Sequence, residues 1–207
     1  MTSPPPPAET AAAENLVIAM DGPSGAGKSS VSRAVAIRLR LRYLDTGAMY
    51  RAVTWWMLEH RIDIHDPAAV AAVSDRPRLA VGTDPAEPTI QVDGHDVAAP
   101  IRSRAVSAAV SPVAAVPAVR TILVALQREI IGTGGIVVEG RDIGTVVAPH
   151  APVKVFLTAN PTIRAQRRTD ELRHDPDATV ALTEAELARR DVIDSSREAS
   201  PLARAAD

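Results

Sequence analysis

The chain has 207 residues, enough for one sizeable domain with a covered sheet and a small insertion but too few for a large modular assembly. Its formal net charge of -2 gives no general attraction to nucleic acid or to an anionic membrane, so an anionic ligand must be held by local clusters. Cysteine is absent, which excludes disulfides and thiolate metal sites, and no apolar run approaches membrane-spanning length. Because 46% of the residues are hydrophobic and 2% aromatic, Ala, Val, Leu and Ile must fill the core. The class is soluble and globular, and a reducing, cytoplasmic setting is expected.

Residues 1 to 15 carry four consecutive prolines followed by Ala, Glu and Thr, with no basic segment leading into an apolar one, and are expected to form a disordered tail. Leu16 to Met20 (LVIAM) reads as a strand buried on both faces, followed by a glycine-rich turn and the helical pattern SSVSRAVAIRLRL. A short extended piece at Tyr43 and Leu44 leads into a helix from about Gly47 to His60, with Thr46 as its expected N-cap. From Arg61 to Pro100 prolines and glycines punctuate short pieces. Thr89 to Val92 and His95 to Ala98 flank Asp93-Gly94, a hairpin signal within a small β-rich insert.

Helical pattern returns from about Ser103 to Val110 and from Pro117 to Ile131, where Pro117 suits a first helical position and Gly132 an ending. Two apolar runs follow, Ile136 to Val138 and Val153 to Leu157. A helix after Pro161 and another opened by the capping-box pattern Thr183 to Glu186 complete the chain. Strands alternating with helices predict an α/β fold with a mostly parallel sheet covered on both faces.

Chemistry is clearest at Gly22-Pro23-Ser24-Gly25-Ala26-Gly27-Lys28-Ser29, a full P-loop pattern set between a predicted strand and a predicted helix. Glycines let the backbone wrap closely so that its N–H groups face phosphate oxygens, and the helix beginning near Lys28 adds the positive end of its dipole. Ser30 closes the loop. In this pattern Lys28 reaches the β- and γ-phosphates of a nucleotide and the Ser29 hydroxyl ligates Mg²⁺.

A second anion site should show itself as converging cations. Arg51 falls in the first turns of its helix and Arg120 just inside the helix opened by Pro117, places where a cation is unfavourable unless an anion lies between. An exposed arginine in an arginine-rich chain needs no such ligand. Glu139-Gly140-Arg141-Asp142 follows an apolar run, and in an open parallel sheet ligands sit beyond the carboxyl ends of strands. There Arg141 suits a phosphate and Asp142 an exocyclic amine, although a local Arg-Asp pair satisfies the same residues. Arg190, Asp194 and Arg197 share one helix face by spacing, which a solvated, ion-paired surface also explains.

Taken together, DGPSGAGKSS at Asp21 to Ser30, LDTGAMYR at Leu44 to Arg51, Ser111 to Arg120, EGRDIGTVV at Glu139 to Val147 and RRDVIDSSREASPL at Arg189 to Leu202 closely resemble the bacterial cytidylate kinase family. They span nearly all of the chain after the tail. The resemblance implies a P-loop kinase with a central parallel sheet flanked by helices, a small β-rich insert and a helical lid, using ATP and Mg²⁺ on CMP or dCMP as a monomer, without nucleic acid or membrane. It implies that Ser111, Arg120 and Asp142 read cytosine, that Arg51, Arg141 and Arg197 hold the acceptor phosphate, and that Arg190 and Asp194 lie near the sugar and the lid. Lys28, Arg141 and Arg190 are the expected catalytic residues, with Thr46 on the substrate side and Glu139 an acidic residue near Mg²⁺. The implied division is a nucleotide-binding core at 16–61 and 101–160, an inserted monophosphate-binding domain at 62–100, a lid and following helix at 161–200, and an end segment at 201–207. In the family a further strand and helix follow the Pro201 to Asp207 segment, and their absence here is the one expected departure. Two other readings remain open at this stage: a different small-molecule P-loop kinase, such as a shikimate kinase or another nucleotide kinase, and a regulatory module that holds ATP without transferring phosphate.

Overall fold

The computed structural model describes residues 15–171 and 179–207, so the expected tail, apart from Asn15, and the 172–178 part of the expected lid lie outside the described residues. The chain enters strand β1 (Val17–Asp21), passes through the glycine loop into helix α1 (Lys28–Leu39), and returns through β2 (Arg42–Asp45) into α2 (Thr46–Glu59). Next come α3 (Pro67–Ala72) and the strands β3 (Leu79–Val81), β4 (Ile90–Val92) and β5 (His95–Asp96). A 3-10 turn at Pro100–Arg102 precedes α4 (Arg104–Ala115) and α5 (Pro117–Ile131). The last part comprises β6 (Ile136–Glu139), a π-helical turn at Ile143–Val147, β7 (Val153–Phe156), α6 (Pro161–Glu171) and α7 (Val180–Ser196).

Four strands form a parallel sheet in the order β2-β6-β1-β7. The middle of the sheet is apolar because both faces are covered: all of β6 and the last four residues of β1 are buried. Register places Asp45 beside Glu139 and Met20 beside Glu139, so the acidic ends of three neighbouring strands, Asp21, Asp45 and Glu139, gather along one carboxyl edge. The α2 helix buries Met49, Tyr50, Val53, Trp56 and Met57 in the larger core, where aliphatic residues from α4, α5 and β6 complete the packing. A smaller cluster of Ile18, Ala36, Leu41, Tyr43 and Val137 lies under α1.

The segment between α2 and α4 contains a separate antiparallel sheet, β3-β4-β5. Asp93 (φ 52) and Gly94 (φ 80) make the tight turn between β4 and β5, as the Asp-Gly pair predicts. Two of its elements, α3 and β3, were not anticipated. Helix α3 is short and is capped by the Asp66 side chain with Pro67 in its first turn, a local signal hidden among the prolines.

Three expectations about helix ends are corrected. Asp45, not Thr46, caps α2: its carboxylate accepts from the Ala48 N–H, and Thr46 is already helical. The helix expected to stop at Val110 runs on through Pro112 to Ala115, since burial of Val113 and Ala114 against the core offsets the backbone bond that proline cannot make. The last helix begins at Val180, one turn before the expected capping box. Thr179 is the cap, accepting from Leu182 N–H, while Thr183 is buried and accepts a hydrogen bond from the Thr169 hydroxyl.

Candidate active site

The glycine loop leaves β1 under tight steric constraint. A side-chain carbon at Gly22 (φ 144) would lie 2.0 Å from the Leu157 carbonyl oxygen, so only glycine permits the chain to turn there beside β7. Gly27 (φ 94) supplies the left-handed residue that starts α1, and Lys28 follows as the first helical residue. The Lys28 ammonium donates to the carbonyls of Gly22 and Pro23, each at 2.8 Å. Burial, and next the nearby Arg141 charge, pull its pKa down to about 7. Such a cation gains from a phosphate, which restores the charge that burial opposes.

Opposite the loop stands Glu139, 3% exposed. Its Oε1 accepts from the Ser29 hydroxyl at 2.6 Å and from the Tyr43 hydroxyl at 2.9 Å, while Oε2 is buried with no partner. Burial pushes the Glu139 carboxyl up to about 7, and the Asp45 charge beside it adds to the effect. A buried carboxylate oxygen without a donor, next to Ser29 and Asp45, fits an oxygen-seeking divalent cation such as Mg²⁺. Among the described residues no cluster of three or more His, Cys, Asp or Glu forms a metal cage.

A cleft of about 850 Å³ runs from this loop to a set of arginines. Ser24, Gly25, Ala26, Gly27, Lys28, Ser29 and Ser30 line one side, and Arg51 and Arg141 belong to the same cleft, together with Arg102, Arg167 and Arg168, which sequence reasoning did not single out. Burial lowers the Arg51 pKa to about 9, with the Arg190 and Arg168 charges acting in the same sense. Arg190 is held down to about 10 by burial and by Arg141. Guanidinium groups crowd in this way where a polyanion is to be received. Arg51 and Arg168 both donate to the Ser107 hydroxyl, at 2.9 and 2.6 Å.

The residues expected to read a base and a sugar lie beyond this cleft in two small networks. Arg120 and Asp142 form a buried ion pair, with the guanidinium 5.4 Å above the Tyr50 ring. Asp194 accepts from the Ser111 hydroxyl at 3.2 Å and from Arg141 Nε at 3.3 Å, and Arg197, the C-cap of α7, lies 3.9 Å away. Ser111 and Arg190 also line a smaller cavity of about 120 Å³ between α4 and α7. Gly22 and Thr46 do not line either cavity. The Thr46 hydroxyl donates to the Glu139 carbonyl at 2.7 Å, tying α2 to the end of β6.

Helices α6 and α7 are fastened to the loop by cations. Arg164 donates to the Ser24 carbonyl at 3.0 Å and pairs with Asp191 at 2.7 Å, Arg167 reaches the Ala26 carbonyl at 3.4 Å, and Arg190 reaches the Ser24 hydroxyl at 3.5 Å. The spacing Arg164-Arg167-Arg168, one helix face beside a P-loop, was the available sequence signal for these contacts.

A parallel sheet that delivers a complete phosphate-binding loop, a buried lysine and an opposed set of arginines into one cleft defines a P-loop kinase. Comparison with known proteins makes the class specific. A model of the cytidylate kinase family matches residues 18–207. Relatives named cytidylate kinase occur in Streptomyces avermitilis, 57% identical over 194 residues (93% of this chain and 83% of that protein), and in Nocardia farcinica, 54% identical over 194 residues (93% and 84%). A bifunctional pantoate ligase/cytidylate kinase of Prochlorococcus marinus is 49% identical over 196 residues, which cover 92% of this chain and 38% of that protein. The chain belongs to the cytidylate kinase family and is a kinase. That membership removes the shikimate-kinase and non-enzymatic readings. Among the described residues no single helix is long and apolar enough to cross a membrane.

Proposed function

We propose that the protein transfers the γ-phosphoryl group of ATP to CMP or dCMP by direct, Mg²⁺-dependent in-line displacement, acting in the cytoplasm as a monomer. The observation that carries this reading is the single cleft in which the P-loop faces Arg51 and Arg141, contributed by separate elements. One phosphate cradle suffices for a nucleotide sensor; two opposed ones suit transfer between two anions. Residues of both sides come from one chain, so the proposed transfer requires no group from a second subunit.

In this reading an oxygen of the acceptor α-phosphate attacks the γ-phosphorus while the bond to the β,γ-bridging oxygen breaks, giving ADP and the nucleoside diphosphate. Lys28 and the loop N–H groups hold the β- and γ-phosphates, and Arg141 and Arg190 face the charge on the transferring group. Arg51, Arg141 and Arg197 hold the acceptor phosphate. Ser29, with Glu139 behind it, would hold Mg²⁺, which when bound offsets phosphate charge. Asp142 accepts from the cytosine N4 amine, Arg120 donates to the N3 and O2 side, and Ser111 also reads the ring, whereas uracil would turn an oxygen toward Asp142. Asp194 and Arg190 stand on the sugar side. Residues 62–100 and 161–200 serve as the monophosphate-binding and lid segments around the core, and their closure would exclude water as a competing acceptor.

The test is ADP formation from MgATP with and without CMP, dCMP, UMP and shikimate, in the parent and in Lys28→Ala. CMP- and dCMP-stimulated turnover is expected, with a loss of at least about 10²-fold in the variant. Equal ADP release without acceptor, or near-normal turnover by Lys28→Ala, would refute the reading.

A further inference from the structure

The last residue of β1, Asp21, is a buried carboxylate that the reaction above does not use. Met20 is the lateral partner of Glu139, so Asp21, one residue on, points off the opposite face of the sheet. There its Oδ1 accepts from the Ile143 N–H and its Oδ2 from the Gly144 N–H, both at 2.8 Å. These are the first two donors of the π-helical turn, and the carboxylate satisfies both. At the other end of the same segment, the Gly140 N–H donates to the Met20 carbonyl at 3.0 Å. The stretch Gly140 to Gly144 is therefore stitched to β1 at both ends, and the residues between the stitches are Arg141 and Asp142.

Those two side chains diverge from the pinned turn, Arg141 toward Asp194 and the cleft, Asp142 toward Arg120. The approach is close: a side-chain carbon at Gly144 would stand 3.2 Å from the Lys154 side chain and 3.4 Å from Asp21 Oδ2. Asp21 also immediately precedes Gly22, whose carbonyl accepts from Lys28. One residue thus touches the root of the donor loop with its backbone and the root of the acceptor turn with its side chain.

We propose that Asp21 is a positioning residue that fixes the Arg141-Asp142 turn relative to the phosphate-binding loop, and thereby sets acceptor affinity and base discrimination; this rests on the reading of Arg141 and Asp142 given above. Asparagine at this position retains one acceptor but turns an N–H toward a backbone donor, releasing one stitch. Glutamate retains both acceptors and the charge but reaches one methylene further, so it displaces the turn instead of freeing it.

The experiment compares parent, Asp21→Asn and Asp21→Glu, each checked for folding by circular dichroism. It measures kcat and KM for CMP and UMP and the Kd for MgATP. Both variants are expected to raise the CMP KM by roughly tenfold or more and to lower the CMP to UMP ratio of kcat/KM, with the MgATP Kd within about twofold of the parent. A purely structural role would reduce the active fraction, cutting kcat for both acceptors alike and leaving KM and the ratio unchanged. That pattern in a folded variant would overturn the assignment, and so would failure of both variants to fold, which would make Asp21 a folding residue. A parent without CMP-dependent activity would instead overturn the proposed function and this inference with it.

Discussion

At the scale of single residues, the site is held together by groups that burial pushes away from their ordinary charge states. Glu139 is raised from 4.5 to about 7 by burial and by Asp45, and Lys28 is lowered from 10.5 to about 7 by burial and by Arg141. The two have opposite effects on folding. The protonated Glu139 contributes stability that is full below about pH 4.5 and is lost as pH rises through about 7. The neutral Lys28 contributes stability that is full above about pH 10.5 and is lost as pH falls through about 7. Parent stability alone mixes the two, and because each charge acts on the other, the difference between parent and Glu139→Gln reads the carboxyl together with its coupling to Lys28. Urea unfolding at several pH values between 5 and 8, without nucleotide, is expected to show the parent losing stability relative to Glu139→Gln as pH rises. A difference independent of pH would mean that Glu139 is not proton-linked. Because a cation favours the carboxylate, Mg²⁺ is expected to reduce this dependence in the parent.

At the scale of elements, what the sequence revealed depended on whether a signal was contiguous. The P-loop was legible because its glycines, lysine and serine lie together between an apolar run and a helical pattern. The parallel strands were legible for the same reason, since both-face burial writes an unbroken apolar run at β6 and β1. Caps were harder to read. Asp45 and Thr46 are adjacent and both suit an N-cap, and the structure separates them by giving Asp45 the Ala48 N–H while the Thr46 hydroxyl donates to the Glu139 carbonyl. At α7 two threonines four residues apart offer the same hydroxyl, and burial of Thr183 leaves the cap to Thr179. The residues proposed to read the base were not contiguous at all. Ser111, Arg120 and Asp142 come from α4, α5 and the turn after β6, so spacing said little and resemblance carried the assignment. Asp21, Arg164 and Arg168 were missed because their partners are remote in sequence. The cap assignment is testable: Thr179→Ala is expected to cost about 1 kcal/mol in chemical denaturation. No measurable loss would return the cap to Thr183.

At the scale of the whole molecule, ion pairs tie the elements around the cleft to one another across the fold. Arg120 pairs with Asp142, Arg141 with Asp194 and Arg164 with Asp191, joining α5, the turn after β6, α6 and α7. A cytosine nucleotide that engages Arg120 and Asp142 brings a donor and acceptors of its own to this buried pair, so binding should stabilise the whole fold. At about a hundred times its Kd, CMP should add about 2.7 kcal/mol. For a chain of this size that is a rise in melting temperature of roughly 5 to 10 °C. UMP at the same concentration should give a smaller rise, because in the proposed pose its O4 would face the Asp142 carboxylate as one acceptor against another. In Asp142→Asn the amide can turn an N–H toward that oxygen, so the gap between the two nucleotides should narrow by an amount of order 1 to 3 kcal/mol in relative affinity. Thermal melts of parent and variant with each nucleotide, paired with titration calorimetry, measure it directly. Equal shifts for CMP and UMP in the parent, or an undiminished gap in a folded Asp142→Asn, would remove Asp142 from base recognition and leave Arg120 and Asp142 as a structural ion pair.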